Sequence, residues 1–485
     1  MRGLRTTQSC HFSVQLRPYQ QRTIELLRER CNDRPLLCLP TGSGKTSVAA
    51  EIIRNAVRKG NRCVFLVHRR ELVDQAVARL AQSGIRAGRI LAGHPERRLL
   101  PVQVASIPTL VRRKHWPAQL VIVDECAHAT SASWGRVLDR YADAWVIGLT
   151  ATPIRLDGRG LGDVFGCIVE PVTTQELIDQ GYLVGPTVYA PPVDLSGVRK
   201  RAGDYALPEL AERMNPLTAS ITETWQQRAA GLSTVVFAVN VQHSKSIVEA
   251  FCAQGVRAEH IDGGTAVQRR ADTLARLAAG ETTMVSNCMV LSEGWDLPSL
   301  RCCILARPTK SLALFRQMVG RVMRPPGPVV VLDHAGNHHE HGPVTDEIEW
   351  SLSAKPKRAP APGVSQCMMC FVILDPGTKL CPECGGEVSQ AATAEPPAVD
   401  NPGKLVKFVR EDACLWYAEQ VRTACALGYT VGWARFRYKH KYGKWPRFRD
   451  AERETYSCPG HVWTPQRYGP RRVMRCERCY EERAA

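Results

Sequence analysis

The sequence predicts an α/β chain: two tandem parallel-sheet units, then a small cysteine-knuckle module and a helical C-terminal module. Three observations lead there. Short apolar runs alternate with helical stretches over the first two thirds of the 485 residues. That pattern marks a parallel sheet with helices on both faces. A Gly-rich loop ending in Lys-Thr stands between one such run and a helix. Two Cys-x-x-Cys pairs follow the last run and precede a stretch of mixed basic and aromatic residues.

The apolar run Pro35–Leu39 reads as a buried strand, and Ser47–Lys59 reads as a helix. Between them lies Leu39-Pro40-Thr41-Gly42-Ser43-Gly44-Lys45-Thr46. Gly42 and Gly44 let the backbone curl so that successive N–H groups converge on one anion, and the following helix N-terminus adds partial positive charge. Such a loop cradles phosphates, with Lys45 reaching the β- and γ-phosphates and the Thr46 hydroxyl on Mg²⁺. Leu39 stands where the general pattern has Gly. Upstream, Gln20 opens a helical pattern, and a side-chain amide there is donor and acceptor at once, which suits the adenine edge.

Further strands are expected at Cys63–Val67, Val102–Ser106, Leu120–Val123 and Val146–Leu149. The third ends in Asp124-Glu125 and the fourth in Thr150-Ala151-Thr152-Pro153. Chemistry in open α/β sheets gathers at the carboxyl ends of strands, so Lys45, Asp124 and Thr150 can meet. Asp124 would hold Mg²⁺ and Glu125 would polarise an attacking water; a plain acidic strand terminus is the alternative. A second unit is expected from strands at Thr234–Val239, Thr283–Ser286, Cys302–Ala306 and Val329–Leu332. His334, His338, His339 and His341 follow it and read as an exposed loop.

Net charge is +17, which favours a polyanionic partner, nucleic acid first. No apolar run reaches membrane-spanning length, and residues 1–14 hold no apolar segment, so neither a membrane anchor nor a signal peptide is expected. Nineteen cysteines without such a signal point to a reducing, cytoplasmic setting in which Cys-x-x-Cys pairs are metal candidates.

Seven blocks in order carry a resemblance. They are Arg17-Pro18-Tyr19-Gln20, the phosphate loop, His68-Arg69-Arg70-Glu71-Leu72, and Asp124-Glu125 with Thr150-Ala151-Thr152-Pro153. The second unit adds Val235-Val236-Phe237-Ala238, Leu291-Ser292-Glu293-Gly294-Trp295-Asp296 and Gln317-Met318-Val319-Gly320-Arg321-Val322-Met323-Arg324. Over residues 16–337 the chain resembles the superfamily 2 DEAD/DEAH-box helicases, especially the RadD-like and phage-type enzymes and type III restriction motors. The resemblance implies two RecA-like lobes closing on ATP·Mg²⁺. It implies nucleotide contacts from Arg17, Gln20, Thr41, Gly42, Ser43, Gly44, Lys45, Thr46, Gly294 and Asp296. It also implies that Arg321 and Arg324 reach ATP across the cleft, where charge developing on the γ-phosphate suits a planar guanidinium. Coupling of hydrolysis to movement would use Thr150, Thr152 and Gln317. The family's fourth residue in the acidic box is Asp or His, and here it is Ala127. His128 either substitutes from the next position or is a loop histidine.

The implied function is an ATP-dependent helicase or translocase on DNA, in repair, recombination or replication. Duplex translocation without unwinding, action on RNA, and a nucleic-acid-binding adaptor with a weakly coupled motor are the alternatives. The expected organisation is an ATP-binding lobe at 1–170, a connector at 171–214, a C-terminal helicase lobe at 215–352 and a linker at 353–364. A cysteine module at 365–388, a second linker at 389–402 and a basic aromatic module at 403–485 complete it. Cys367, Cys370, Cys381 and Cys384 supply four soft thiolates for a structural Zn²⁺ of the zinc-ribbon kind; free thiols or a redox pair are the alternatives. Cys458, His461, Cys476 and Cys479 form a looser second set. Helices are expected at Glu411–Leu427 and Gly432–Tyr442. Around the second, Arg435, Arg437, Lys439 and Lys441 alternate with Phe436, Tyr438 and Tyr442, a mixture suited to phosphate contact and base stacking. A solvated basic face over a small aromatic core is the alternative.

Overall fold

The computed structural model describes residues 15–353 except 69, 96, 98, 129–131, 155–159, 191–199, 202–203, 206–209, 211–213, 215–217, 292–294 and 296. It also describes 365–388 except 368, 369, 376 and 387, and, in the tail, 417, 420–421, 423–424, 434–435, 437, 463–468, 471–476 and 482–484. The chain divides into two compact units, residues 1–392 and 393–485.

The first unit holds both lobes. Lobe 1 is built on β1 (Pro35–Cys38), β2 (Cys63–Val67), β3 (Gly88–Ile90), β4 (Val102–Ser106), β5 (Leu120–Asp124), β6 (Trp145–Thr150) and β7 (Cys167–Val169). Their order is β3-β4-β2-β5-β6-β1-β7, and every pairing is parallel. All residues of β1, β2 and β4 are buried, as expected of strands covered on both faces. Helix Lys45–Arg58 lays Val48, Ala49, Ile52 and Ile53 on this sheet, the i, i+4 spacing of a core-facing stripe.

Lobe 2 begins inside the expected connector. β8 (Pro186–Tyr189) is followed by a two-stranded antiparallel pair, β9 (Lys200–Arg201) and β10 (Asp204–Tyr205). The sheet continues with β11 (Thr234–Ala238), β12 (Ala258–Ile261), β13 (Met284–Asn287), β14 (Cys302–Ala306) and β15 (Val329–Asp333). Its order is β12-β13-β11-β14-β15-β8, again wholly parallel. The connector therefore supplies an edge strand.

The histidines after β15 are a correction to the exposed loop expected. His334 directly follows the strand, while His338, His339 and His341 lie on the short helix Asn337–His341; His334, His338 and His341 are buried, and His339 alone of the four is exposed as expected. The imidazoles of His338 and His341 are accommodated because they have partners. His338 Nδ1 lies 2.8 Å from Asp333 Oδ2, and His341 Nε2 lies 2.8 Å from the Thr309 carbonyl. Phe315 meets His338 edge-on and stacks on His341.

The cysteine module is no free-standing bead. β16 (Ser365–Gln366) pairs antiparallel with β17 (Ile373–Leu374). Val372 bridges to Tyr189 at the edge of β8, Ala190 N–H donates to the Phe371 carbonyl at 2.8 Å, and Tyr189 OH donates to Glu383 Oε2 at 2.8 Å. Cys367, Cys370, Cys381 and Val388 share a core with Trp225, Phe251 and Ile304 of lobe 2.

In the second unit, the described residues between 417 and 437 are helical. Three strands follow: β18 (Trp463–Tyr468), β19 (Arg471–Cys476) and β20 (Glu482–Ala484), joined antiparallel. They were absent from the sequence expectation. No described helix is long and apolar enough to cross a membrane.

Candidate active site

The carboxyl ends of β1, β5 and β6 lie side by side in lobe 1, and each carries one expected element. The loop after β1 runs into helix Lys45–Arg58 through two left-handed glycines, Gly42 (φ 87°) and Gly44 (φ 85°). The loop is held from behind. Gln20 Nε2 donates to the Ser43 carbonyl at 3.1 Å, and Tyr19 OH donates to the same oxygen. Gln20 Oε1 accepts from Arg17 N–H at 3.0 Å, one half of a capping box for helix Pro18–Glu29. A Cβ on Gly44 would stand 2.6 Å from Gln20 Nε2. Gln20, expected to read an adenine, thus grips the loop backbone. Arg17 lies over the Tyr182 ring at 4.5 Å.

Lys45 Nζ donates to the Leu39 carbonyl at 3.1 Å. Enclosure pushes its ammonium below the ordinary lysine range. Glu125 and Asp124 oppose that shift, and Arg321 adds to it. Three of the expected catalytic groups from lobe 1 and one from lobe 2 therefore share one electrostatic neighbourhood. Burial pushes the Asp124 carboxyl up to about 7, with repulsion from Glu125 in the same direction and Lys45 and Arg79 opposing. Glu125 sits at φ 47°, a left-handed conformation costly for a side-chain-bearing residue and found where function over-determines the backbone. Its N–H donates to Asp124 Oδ1 at 3.1 Å. Thr46 is half-buried on the first turn of its helix.

Thr150 and Thr152 form a closed turn. Thr150 Oγ1 donates to the Thr152 carbonyl at 2.8 Å and accepts from Thr152 N–H at 3.1 Å. The Thr150 carbonyl accepts from Leu39 N–H at 3.0 Å, which ties this turn to the phosphate loop.

Lobe 2 presents helix Leu312–Val319 and the turn after it. Gln317 and Arg321 are buried. Arg321 Nη1 donates to the Trp295 carbonyl at 2.7 Å. A Cβ on Gly320 would meet Thr41 Cβ at 2.5 Å, and one on Gly42 would lie 3.6 Å from Arg324 Nε. The arginine-bearing turn thus packs directly on the phosphate loop, and Val184 N–H donates to the Met323 carbonyl at 3.0 Å. Tyr19, Gly320 and Trp295 were given no role by sequence reasoning. Tyr19 sits inside the Arg17–Gln20 block. Gly320, however, looks like an ordinary helix stop, and only the fold shows what it faces.

Gly294 and Asp296 lie outside the described residues. So does the His128 side chain, although its backbone forms a 3₁₀ turn with Cys126 and half-buried Ala127. Of the looser cysteine set, Cys458, His461 and Cys479 lie outside the described residues, and Cys476 is described only as the end of β19. The four sulfurs of Cys367, Cys370, Cys381 and Cys384 lie within 4.8 Å of one another. Cys367 and Cys384 are 3.5 Å apart, and Cys370 and Cys381 are 3.6 Å apart. Zn–S bonds of about 2.3 Å make a tetrahedron with edges of about 3.8 Å.

Comparison with known proteins follows these lobes. The family model for the type III restriction enzyme res subunit matches residues 13–155, and the helicase conserved C-terminal domain matches 216–326. A 51.5 kDa protein of a Lactococcus phage (isolate 7-9) is 30% identical over 359 residues, covering 72% of this chain and 77% of the phage protein. The chain belongs to the superfamily 2 helicases. Within that family it has the type III restriction-like core, and it is an ATP-hydrolysing helicase. A Saccharomyces cerevisiae protein provisionally named ATP-dependent helicase IRC3 is 30% identical over 371 residues, 70% of this chain and 52% of that protein. The helicase chain thus spans about half the length of that relative. The solved fragment of a provisionally assigned HsdR subunit of a type I restriction enzyme from Vibrio vulnificus YJ016 superposes with a TM-score of 0.53 at 22% identity. The match covers 67% of this chain and 65% of the fragment, and the two share the two-lobed fold.

Proposed function

We propose that this helicase is a DNA-stimulated motor that separates DNA strands in repair, recombination or replication, working in the cytoplasm. The observation that carries the motor reading is the packing of Gly320, one residue before Arg321, on Thr41 of the phosphate loop. Groups from two lobes then act on one nucleotide, so hydrolysis and lobe movement are linked. The DNA reading is supported by the +17 charge. It is supported too by relatives such as the Sulfurisphaera tokodaii DNA 3'-5' translocase XPB2, 23% identical over 354 residues, 64% of this chain and 79% of that protein.

In this reading Lys45 and the loop N–H groups bind the β- and γ-phosphates. Thr46 and Asp124 are the residues that would hold Mg²⁺, which when bound neutralises phosphate charge. Glu125 orients a water and accepts its proton as the water oxygen bonds to the γ-phosphorus. The bond from the γ-phosphorus to the bridging oxygen breaks, and ADP leaves with that electron pair. Arg321 and Arg324 bear on the charge that spreads over the γ-phosphoryl oxygens. Thr150, Thr152 and Gln317 pass the change between lobes.

The sulfur separations support a structural Zn²⁺ at Cys367, Cys370, Cys381 and Cys384, and we assign a second ion to Cys458, His461, Cys476 and Cys479. The basic aromatic tail contributes phosphate contacts and stacking. Strand displacement on tailed DNA and RNA duplexes, in both polarities, tests the reading. ATP-dependent release of a DNA strand is expected. DNA-stimulated turnover without release on any DNA substrate would replace unwinding with duplex translocation, and release from RNA alone would reject the DNA reading.

A further inference from the structure

After its last strand, lobe 2 sends the chain back across the cleft to lobe 1. Val344 is buried in a core that spans both lobes, and Leu352 packs on a lobe 1 cluster containing Leu161 and Phe165. The far anchor is close-fitting. Gly162 N–H donates to the Leu352 carbonyl at 2.9 Å. A Cβ on Gly160 would stand 1.8 Å from that same carbonyl oxygen, so no side chain fits beneath the crossing.

Between the anchors, Trp350 joins one group from each lobe. Its indole N–H donates to Glu170 Oε1 at 3.2 Å, just past the end of β7. Its ring centre lies 5.7 Å from the Arg316 guanidinium carbon, on the lobe 2 helix that leads to Arg321. Arg316 also donates to the Asp346 carbonyl within the crossing. Under the crossing lies a cavity of about 420 Å³ whose walls include Thr41, Glu170, Arg316, Gly320 and Trp350. The crossing therefore forms the outer wall of a chamber whose inner wall is the contact between the phosphate loop and the arginine-bearing turn.

We propose that residues 343–353 are a tether holding lobe 2 against the phosphate loop, with Trp350 and Glu170 as positioning residues for Arg321 and Arg324. The proposal rests on the cleft being the ATP site. A nucleotide gripped from both lobes binds the apposed form, so its apparent dissociation constant is the intrinsic one divided by the apposed fraction. A tether raises that fraction by keeping the lobes at high effective concentration. Cutting it leaves every group that touches the nucleotide in place. More ATP is then needed, but the saturated rate is retained, and a residue acting on the γ-phosphate would show the opposite split.

The test is steady-state ATP hydrolysis by the full chain against ATP concentration, at saturating single-stranded DNA, for Trp350→Ala, Trp350→Phe, Glu170→Ala and the Trp350→Phe/Glu170→Ala double variant. Trp350→Ala should raise KM about three- to tenfold while kcat stays within about twofold. Trp350→Phe and Glu170→Ala should each raise KM less, because the ring remains on Arg316. The double variant should be no worse than Glu170→Ala alone, since Trp350→Phe removes only the hydrogen bond that Glu170→Ala has already removed. That equality decides the matter if Trp350→Ala does not fold. An unchanged KM, a lowered kcat at unchanged KM, or additive effects in the double variant would overturn the tether alone. A wild-type chain that hydrolyses no ATP would overturn the reading of the cleft, and the tether with it.

Discussion

Gly320→Ala adds one methyl group where the two lobes meet. The backbone at Gly320 is right-handed, φ −60° and ψ −12°, so alanine meets no local strain and even favours the helical conformation. The added Cβ would lie 2.5 Å from Thr41 Cβ, whereas ordinary contact begins at 3.4 Å. Thr41 Cβ belongs to the loop and cannot swing aside as a flexible chain end would. Relief needs about 0.9 Å, the difference of those two distances, and Arg321, the next residue, moves with it. Misplacing a catalytic group by about 1 Å costs on the order of 10²-fold, or about 2.7 kcal/mol of barrier. Gly320→Ala should therefore lower kcat for ATP hydrolysis about 10- to 100-fold at saturating DNA while both sheets stay folded. Stopped-flow or coupled-assay turnover, paired with circular dichroism, measures this. A folded Gly320→Ala protein with wild-type kcat would refute the claim that this contact positions the arginines.

Three further outcomes are expected. Elemental analysis should find about one zinc per chain that is lost in Cys381→Ser, and a second lost in Cys479→Ser; because the first module pairs with β8, Cys381→Ser should also lower the thermal midpoint of lobe 2, and an unchanged midpoint with zinc gone would show the module to be a passenger. A chain ending at Pro402 should hydrolyse ATP at nearly the full rate but need more DNA for half-maximal stimulation, with a salt slope shallower by roughly 0.7 to 0.9 per lost phosphate contact; identical half-saturation and slope would assign the tail to a protein partner. His243 and His334 are held by burial near a pKa of about 4, and His243 Nδ1 accepts from Val239 N–H, so the unfolded chain binds protons below about 6.5 that the folded chain refuses. Stability is then full above that pH and falls toward pH 4, by about 2 kcal/mol for each histidine at pH 5; equal denaturant midpoints at pH 7.5 and pH 5 would contradict the buried, neutral assignment.

Much of the motor was legible in its sequence because buried parallel strands are written as apolar runs. β1, β2, β4, β5, β6, β11, β13, β14 and β15 all stand where such runs predict strands. β3, β7, β8 and β12 escaped because they are short or at an edge. Ala258-Glu259-His260-Ile261 of β12 is stabilised by Arg276 and Thr282 on Glu259, which no local pattern announces. The His-rich segment misled for a related reason. A histidine is read as exposed until a partner for its ring is known, and Asp333, Thr309 and Phe315 become partners only in the fold. At the cleft, the phosphate loop and the acidic pair were visible as motifs. The grip of Tyr19 and Gln20 on Ser43, the contact of Gly320 with Thr41 and the crossing at Trp350 join residues from 23 to 279 positions apart. Such contacts depend on the packing of two sheets and have no signature in one stretch of chain.

The central claim is that one nucleotide site, built from both lobes, drives this helicase. Its most direct test is the rate of ATP hydrolysis with and without single-stranded DNA for the wild type, Lys45→Ala and Glu125→Gln. DNA should stimulate the wild type, Lys45→Ala should neither bind ATP well nor turn it over, and Glu125→Gln should bind ATP yet barely hydrolyse it. Wild-type turnover in either purified variant would contradict the account.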